Sequence, residues 1–101
     1  MAQTSKALYR GAASTTTSTT LYTVPSATTT VVTDIVITNT AGTAGSFTLA
    51  LDGVSIATTV TVGAYDSTVI PMKQVLATTK TITGGASATT INFHISGVEI
   101  A

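Results

Sequence analysis

Thr, Val and Ile run through this chain almost from end to end, and turn signals cut the run every few residues. Branching at Cβ fixes χ1 and crowds a helical turn, whereas the same side chains pack well on a pleated, half-buried surface. Short strands separated by frequent turns find their core by stacking sheet on sheet. The 101 residues suffice for one such domain with a modest core.

The pattern is clearest in the middle of the chain. Phe47, Leu49 and Leu51 alternate with Thr48 and Ala50, the period of two that marks a half-buried strand, and Asp52-Gly53 follows as a tight hairpin turn. Val54-Ser55-Ile56 continues on the far side, so a hairpin is expected across 46–57. Upstream, residues 1–6 read as a flexible arm and residues 7–13 as a first edge strand, opening a sandwich domain over 7–101. Ser14–Thr17 is a polar link, and Leu21–Val24 is a short strand stopped by Pro25. Val31–Thr38 is a longer strand, with Val31, Ile35 and Ile37 expected on one face and Val32, Asp34 and Val36 on the other.

Downstream, Val60 and Val62 mark a weak strand, and Thr68–Met72 a strand interrupted by Pro71. Lys73–Thr78 reads as a loop or a single helical turn, and Thr79–Thr83 as a strand closed by a Gly84-Gly85 turn. In the last strand Ile91, Phe93 and Ile95 share a face, yet Val98 and Ile100 fall in the opposite phase. A β-bulge at Gly97 is expected to restore the core face. Taken together the spacing predicts an all-β fold: a single-domain antiparallel β-sandwich, jelly-roll-like, of about eight strands.

Composition narrows the function. Only 8% of the residues are charged, against about 25% in ordinary soluble domains, and about a quarter are threonine. Such a surface is wettable but weakly hydrated, and no like-charge field keeps copies apart. It suits a protein that works against copies of itself or against a large partner. The basic residues Lys6, Arg10, Lys73 and Lys80 are scattered and the net charge is zero, so nucleic acid is not an expected partner. The absence of cysteine excludes disulfides and thiolate metal sites. The sequence has no apolar run of signal-peptide or membrane-span length; a membrane is not an expected partner, and synthesis is expected in a cytoplasm.

No residue set points to a reaction. His94 is the lone histidine and shares its face with Asn92 and Ser96, the pattern of a surface or interface residue. A metal would require further ligands beside it. Asp52 and Asp66 belong to turns, and Asp34 lies within a strand, where it could pair with a lysine or meet a neighbour. Gly84-Gly85 lacks the lysine and the helix of a phosphate loop, and the many hydroxyls have no base beside them. No enzymatic activity, metal or cofactor is expected. The one cluster with a functional reading is Leu8, Tyr9 and Arg10. Either these residues form an edge strand over the domain's own core, or they are an arm reaching a partner, for which Tyr and Arg are favoured anchors.

Two stretches carry a resemblance. Leu21-Tyr22-Thr23-Val24-Pro25, the Thr-rich Val31–Asn39 strand and Phe47–Leu51 with Asp52-Gly53 form the first; Thr89 and Ile91 through Ile100 form the second. Over residues 8–100 this pattern resembles small β-rich virion structural proteins of tailed bacteriophages. The resemblance implies a non-enzymatic building block of the particle, assembled in the host cytoplasm. Among such proteins it best fits a capsid decoration, or cement, protein that binds the major capsid protein, stabilises the head and forms a homo-oligomer, with a trimer favoured. A neck, tail or fibre-base component is the nearest alternative. A receptor- or glycan-binding module is another, with Tyr9, Tyr22 and Tyr65 as the candidate aromatics and Asn39 and Asn92 as the candidate amides. The threonine spacing is too irregular for an ice-binding face.

Overall fold

The alternation of apolar and hydroxyl side chains resolves into eight strands that turn one face inward. A computed structural model describes residues 2–101. Its elements are β1 (Gln3–Ala12), β2 (Thr20–Thr23), β3 (Thr29–Asn39), β4 (Gly45–Leu51), β5 (Val54–Val62), β6 (Ser67–Leu76), β7 (Thr81–Ala86) and β8 (Ile91–Ile100). They form two four-stranded antiparallel sheets, a first of order β1-β8-β3-β6 and a second of order β2-β7-β4-β5. Only the β4–β5 connection stays within a sheet; every other connection crosses between the two. That winding is the jelly roll, as the spacing implied.

Ile35 and Ile37 of β3 and Ile91, Phe93 and Ile95 of β8 face Phe47 and Leu49 of β4 and Ile82 of β7, all fully buried. Phe47 and Phe93 meet edge-to-face across the sandwich, with ring centroids 6.3 Å apart, a geometry worth about 1 kcal/mol beyond burial alone. The 46–57 hairpin lies where its alternation put it. Asp52 and Gly53 both take positive φ, 53° and 73°, the two-residue turn whose twist matches its strands.

Several expectations are corrected. Residues 3–6 are not a loose arm: they belong to β1 and pair with Gly97–Ile100 of β8, while Met1 lies outside the described residues. Their side chains carry no apolar signal; backbone hydrogen bonds to β8 hold them. The weak strand at Val60 and Val62 is the far half of β5. β6 continues through Pro71 to Leu76 in place of a loop or helical turn, because as a sheet edge it tolerates proline. Gly84-Gly85 is not a turn but lies inside β7. A Cβ at Gly84 would stand 2.5 Å from the Thr48 carbonyl oxygen, and one at Gly85 2.7 Å from that of Ser14.

The phase of the two central strands also differs. β8 runs unbroken, and Gly97 is no bulge. The extra residues sit in its neighbours: Leu8 in β1, opposite the step from Ser96 to Ile95, and Thr33 in β3, opposite the step from Gly97 to Ser96. The Thr33 bulge brings Val32 inward together with Ile35 and Ile37, and leaves Val31, Asp34 and Val36 outside. A Cβ at Gly97 would lie 2.5 Å from the Val31 carbonyl oxygen and 2.8 Å from Leu8 Cδ1. Glycine there lets the bulged Leu8 turn in over the strand, and Val98 and Ile100 remain on the outer face.

Candidate docking surfaces

The structure separates the three residues of the proposed interface cluster. Leu8 is buried in the domain's own core. Tyr9 packs partly against the same core, and its hydroxyl donates to the Ala12 carbonyl at 2.9 Å. Arg10 alone is exposed, on the outer face of the first sheet opposite His94. The edge-strand reading therefore describes Leu8 and Tyr9, while Arg10 shares the outward surface of this sheet with residues of other strands.

Those residues lie on the outer face of the first sheet. Val75, Val31 and Val98 stand side by side across β6, β3 and β8. Val69, Val36, His94 and Arg10 form a second row across four strands, with Ser96 and Asp34 in the row between. Val75 is 65% exposed and Val69 58%; Val31, Val36, Val98 and Ile100 are half-buried. The outer face of the second sheet is different. Thr20, Thr23, Ser46, Thr48, Ser55, Thr61, Thr81 and Thr83 project from it beside Ala50, a mostly hydroxyl coat, while the edge strand β5 leaves Val54 69%, Ile56 38% and Val60 38% exposed. Sequence alternation missed the apolar face because Val69 and Ile70 are adjacent. The signal available was that two neighbouring β-branched residues cannot both face inward.

The free backbone edges are protected. β1 carries the Leu8 bulge and Lys6, β6 carries Pro71, β2 has only four residues, and β5 pairs irregularly with β4 around Leu49. Such devices discourage strand-to-strand pairing between copies.

The two ends of the sandwich also differ. One end holds Ala2 and Ala101 and the 24–28, 52–53 and 77–80 connections. There Tyr22 reaches from β2 across the sheets, donating to Glu99 Oε2 at 2.5 Å and meeting Thr30 Oγ1 at 2.8 Å, while Lys6 Nζ lies 3.4 Å from Glu99 Oε1. Burial, then the hydrogen bond to the Glu99 carboxylate and its charge, push the Tyr22 phenol up to about 12. Lys80 and Asp52 add an exposed ion pair at 3.7 Å.

The opposite end gathers the 13–19, 40–44, 63–66 and 87–90 connections, in which Asp66 is the one charged residue. Buried Asn39 ties two of them: its Nδ2 donates to the carbonyls of Thr43 and Gly63 at 2.8 and 3.3 Å, and its Oδ1 accepts from Ala41 N at 3.0 Å. Asn39 is thus a clamp and not a ligand-facing amide. Of the three candidate aromatics only Tyr65 stands free, 78% exposed at the apex of the β5–β6 turn.

Among the described residues no concave pocket and no group of three His, Asp or Glu side chains is present. No protein-family model and no curated protein matches the chain.

Proposed function

We propose that this chain is a non-enzymatic structural protein of a bacteriophage virion, a decoration protein that seats on the major capsid protein and stabilises the head, assembling there as a homotrimer. One observation carries the reading: the solvent-facing valines of the first sheet, two of them more than half exposed, on a domain with almost no charge. Contiguous exposed apolar surface marks a site that a partner covers. A face bounded by 45 and 21 Å has room for the roughly 800 Å² per partner that stable interfaces bury. Asp34 and Ser96 lie between its two valine rows, His94 and Arg10 extend the second row, and the exposed Lys73 of β6 stands two residues from Val75, so a partner on this face meets a few polar and charged side chains among the valines. The resemblance of the Leu21–Pro25 and Ile91–Ile100 stretches to phage virion proteins supplies the partner.

The deciding experiment is a copy count and localisation in purified particles, by quantitative mass spectrometry and electron cryomicroscopy. Stoichiometric abundance over the shell is the expected result, together with particles that break more readily when the protein is deleted. A few copies at a single vertex would move it to the neck or tail, and absence from particles would overturn the reading. Replacing Val69 and Val75 together by Thr should weaken particle binding about tenfold or more, as removal of an interface's apolar centre does.

A further inference from the structure

The sandwich is closed along one side and open along the other. β1 and β2 border the first side, where Leu8 and Tyr22 turn into the gap between the sheets and are buried. β5 and β6 border the second; each is an edge of its sheet, and the short 63–66 turn joins them. Val54 and Val60 of β5 pair with Leu51 and Phe47, so their side chains share the inward face of the sheet, yet both are exposed where their β4 partners are buried. Ile70 and Met72 of β6 pack against the core and are only partly covered. Apolar side chains that face inward and still meet water mark a side that something else closes.

The charges along this side select a second copy of the chain. Lys6 with Glu99 and Lys80 with Asp52 form ion pairs, whereas among the described residues Asp66 and Lys73 have no ion-pair partner. β5 carries no charge, and its threonines and the exposed Gln74 of β6 are the other polar groups here. Asp66 stands in the turn at one end of the side. Lys73 lies toward the other end of β6, about 20 Å away by the rise of the paired strands. It stands on the rim shared with the valine face, and its flexible four-carbon stem reaches round that rim. We infer that two copies meet side to side about a two-fold axis that crosses β6 near Ile70, perpendicular to the strands. This operation turns one copy end for end, so Asp66 of each meets Lys73 of the other and the two open apolar sides close on each other. A two-fold axis along the strands sets Asp66 against its own twin. Pro71 and the irregular pairing of β5 deny backbone pairing across the contact, so side chains make it. The strands are about 30 Å long and the stacked sheets about 20 Å thick with their side chains, so each copy covers roughly 600 Å², the lower limit of a specific interface. The contact goes beyond the proposed function and leaves the valine face free; on the shell it joins copies of neighbouring trimers.

The test is analytical ultracentrifugation of the purified chain across the micromolar to millimolar range, where a wild-type dimer is expected. Asp66→Lys and Lys73→Glu are each expected to weaken it about tenfold, because each sets like charges together twice. An equimolar mixture of these two variants is expected to recover association near that of wild type, since the heterodimer pairs opposite charges at both contacts; the recovery also shows that both variants fold. Val54→Thr with Val60→Thr is expected to weaken the dimer about tenfold or more, with an unchanged circular-dichroism spectrum. A chain that stays monomeric, a trimer, or a dimer indifferent to the charge variants and their mixture would overturn the inference. Each of these results leaves the proposed function standing, because the copy count in particles reads it separately. Absence from particles, with the charge-dependent dimer present, would overturn the proposed function and support the side contact.

Discussion

Tyr22 and Tyr65 stand at opposite ends of one sandwich and are treated in opposite ways. Tyr22 spans the gap between the sheets, is almost wholly buried, and gives its hydroxyl to Glu99 and Thr30. Tyr65 crowns a turn, leaves most of its surface in water, and is held in a strained backbone conformation by its neighbours. At the Tyr22 end β1 and β8 pair out to Gln3 and Ile100, and the tie to Glu99 fastens that part of the first sheet to the second. The other end has no loose terminus to hold, and Asn39 already fixes its loops. Tyr22 joins the sheets and so belongs to the fold, whereas Tyr65 adds nothing to the core.

Exchanging each tyrosine for alanine gives the largest contrast. Tyr22→Ala should lower stability by about 3–5 kcal/mol, since it removes a buried ring and leaves Glu99 and Thr30 without their shared partner. Tyr65→Ala should change stability by about 0.5 kcal/mol or less, as an exposed substitution does. Tyr65→Gly should raise it by up to about 1 kcal/mol through relief of the positive φ. Urea titrations of the variants measure all three. A Tyr65→Gly variant destabilised as much as Tyr22→Ala would show that both ends serve the fold alike.

Asn39→Ala comes next. It deprives the Thr43 and Gly63 carbonyls of their donor and the Ala41 amide of its acceptor, a loss of about 1–3 kcal/mol. Hydrogen exchange confined to residues 40–44 and 63–66 is the expected signature; exchange spread evenly over β3 would argue for a merely global role.

These contrasts were only partly legible in the sequence. Alternation of Phe47, Leu49 and Leu51 and the Asp52-Gly53 turn follow from rules local to one strand, and they gave the hairpin and the fold class. Phase was harder to read, because a bulge is set by the strand next door. Gly97 marked an anomaly at the right height in the sheet, but the extra residues lie in β1 and β3. Gly84-Gly85 has turn chemistry, yet the backbones of β4 and the 13–19 segment come too close to admit a side chain there. Leu8, Tyr9 and Arg10 looked like one unit because they are consecutive, and the bulge at Leu8 sent their side chains to different surroundings. Local sequence put Tyr22 in a short strand and Tyr65 beside a turn, but not their partners: Tyr22 meets Glu99, 77 residues away, and Tyr65 lies beside Gly42 on a different loop.

The pH dependence sharpens the same contrast at a smaller scale. The folded Tyr22 phenol holds its proton up to about pH 12, whereas an unfolded tyrosine releases it near pH 10. Its contribution is therefore fully present below pH 10 and is lost as pH rises through about 12. Tyr22→Phe lacks this ionisation, and at neutral pH it should be less stable than wild type by on the order of 1–3 kcal/mol, the worth of a hydrogen bond to a charged group. Across pH 10 to 12 that deficit should shrink, because only wild type loses stability from this group. Paired thermal melts of wild type and Tyr22→Phe isolate it from the lysines, which titrate in both. A deficit constant over that window would show that burial and Glu99 do not hold Tyr22 neutral.

The smallest effect separates the two ion pairs at the terminal end. Lys80 and Asp52 are each about half exposed and 3.7 Å apart, so Lys80→Met should cost about 0.2–0.5 kcal/mol, and nothing measurable in 1 M salt. Lys6 is equally exposed, but its partner Glu99 is mostly covered and already engaged by Tyr22. Lys6→Met should therefore cost more than Lys80→Met, and part of that cost should persist in 1 M salt because water and ions reach Glu99 poorly. Additivity gives the sharper reading. Lys6 and Tyr22 share one carboxylate, so their double variant should deviate from the sum of the singles, while Lys80 with Tyr22 should add simply. If both pairs added simply, the Tyr22 end would be a set of separate contacts and not a connected network.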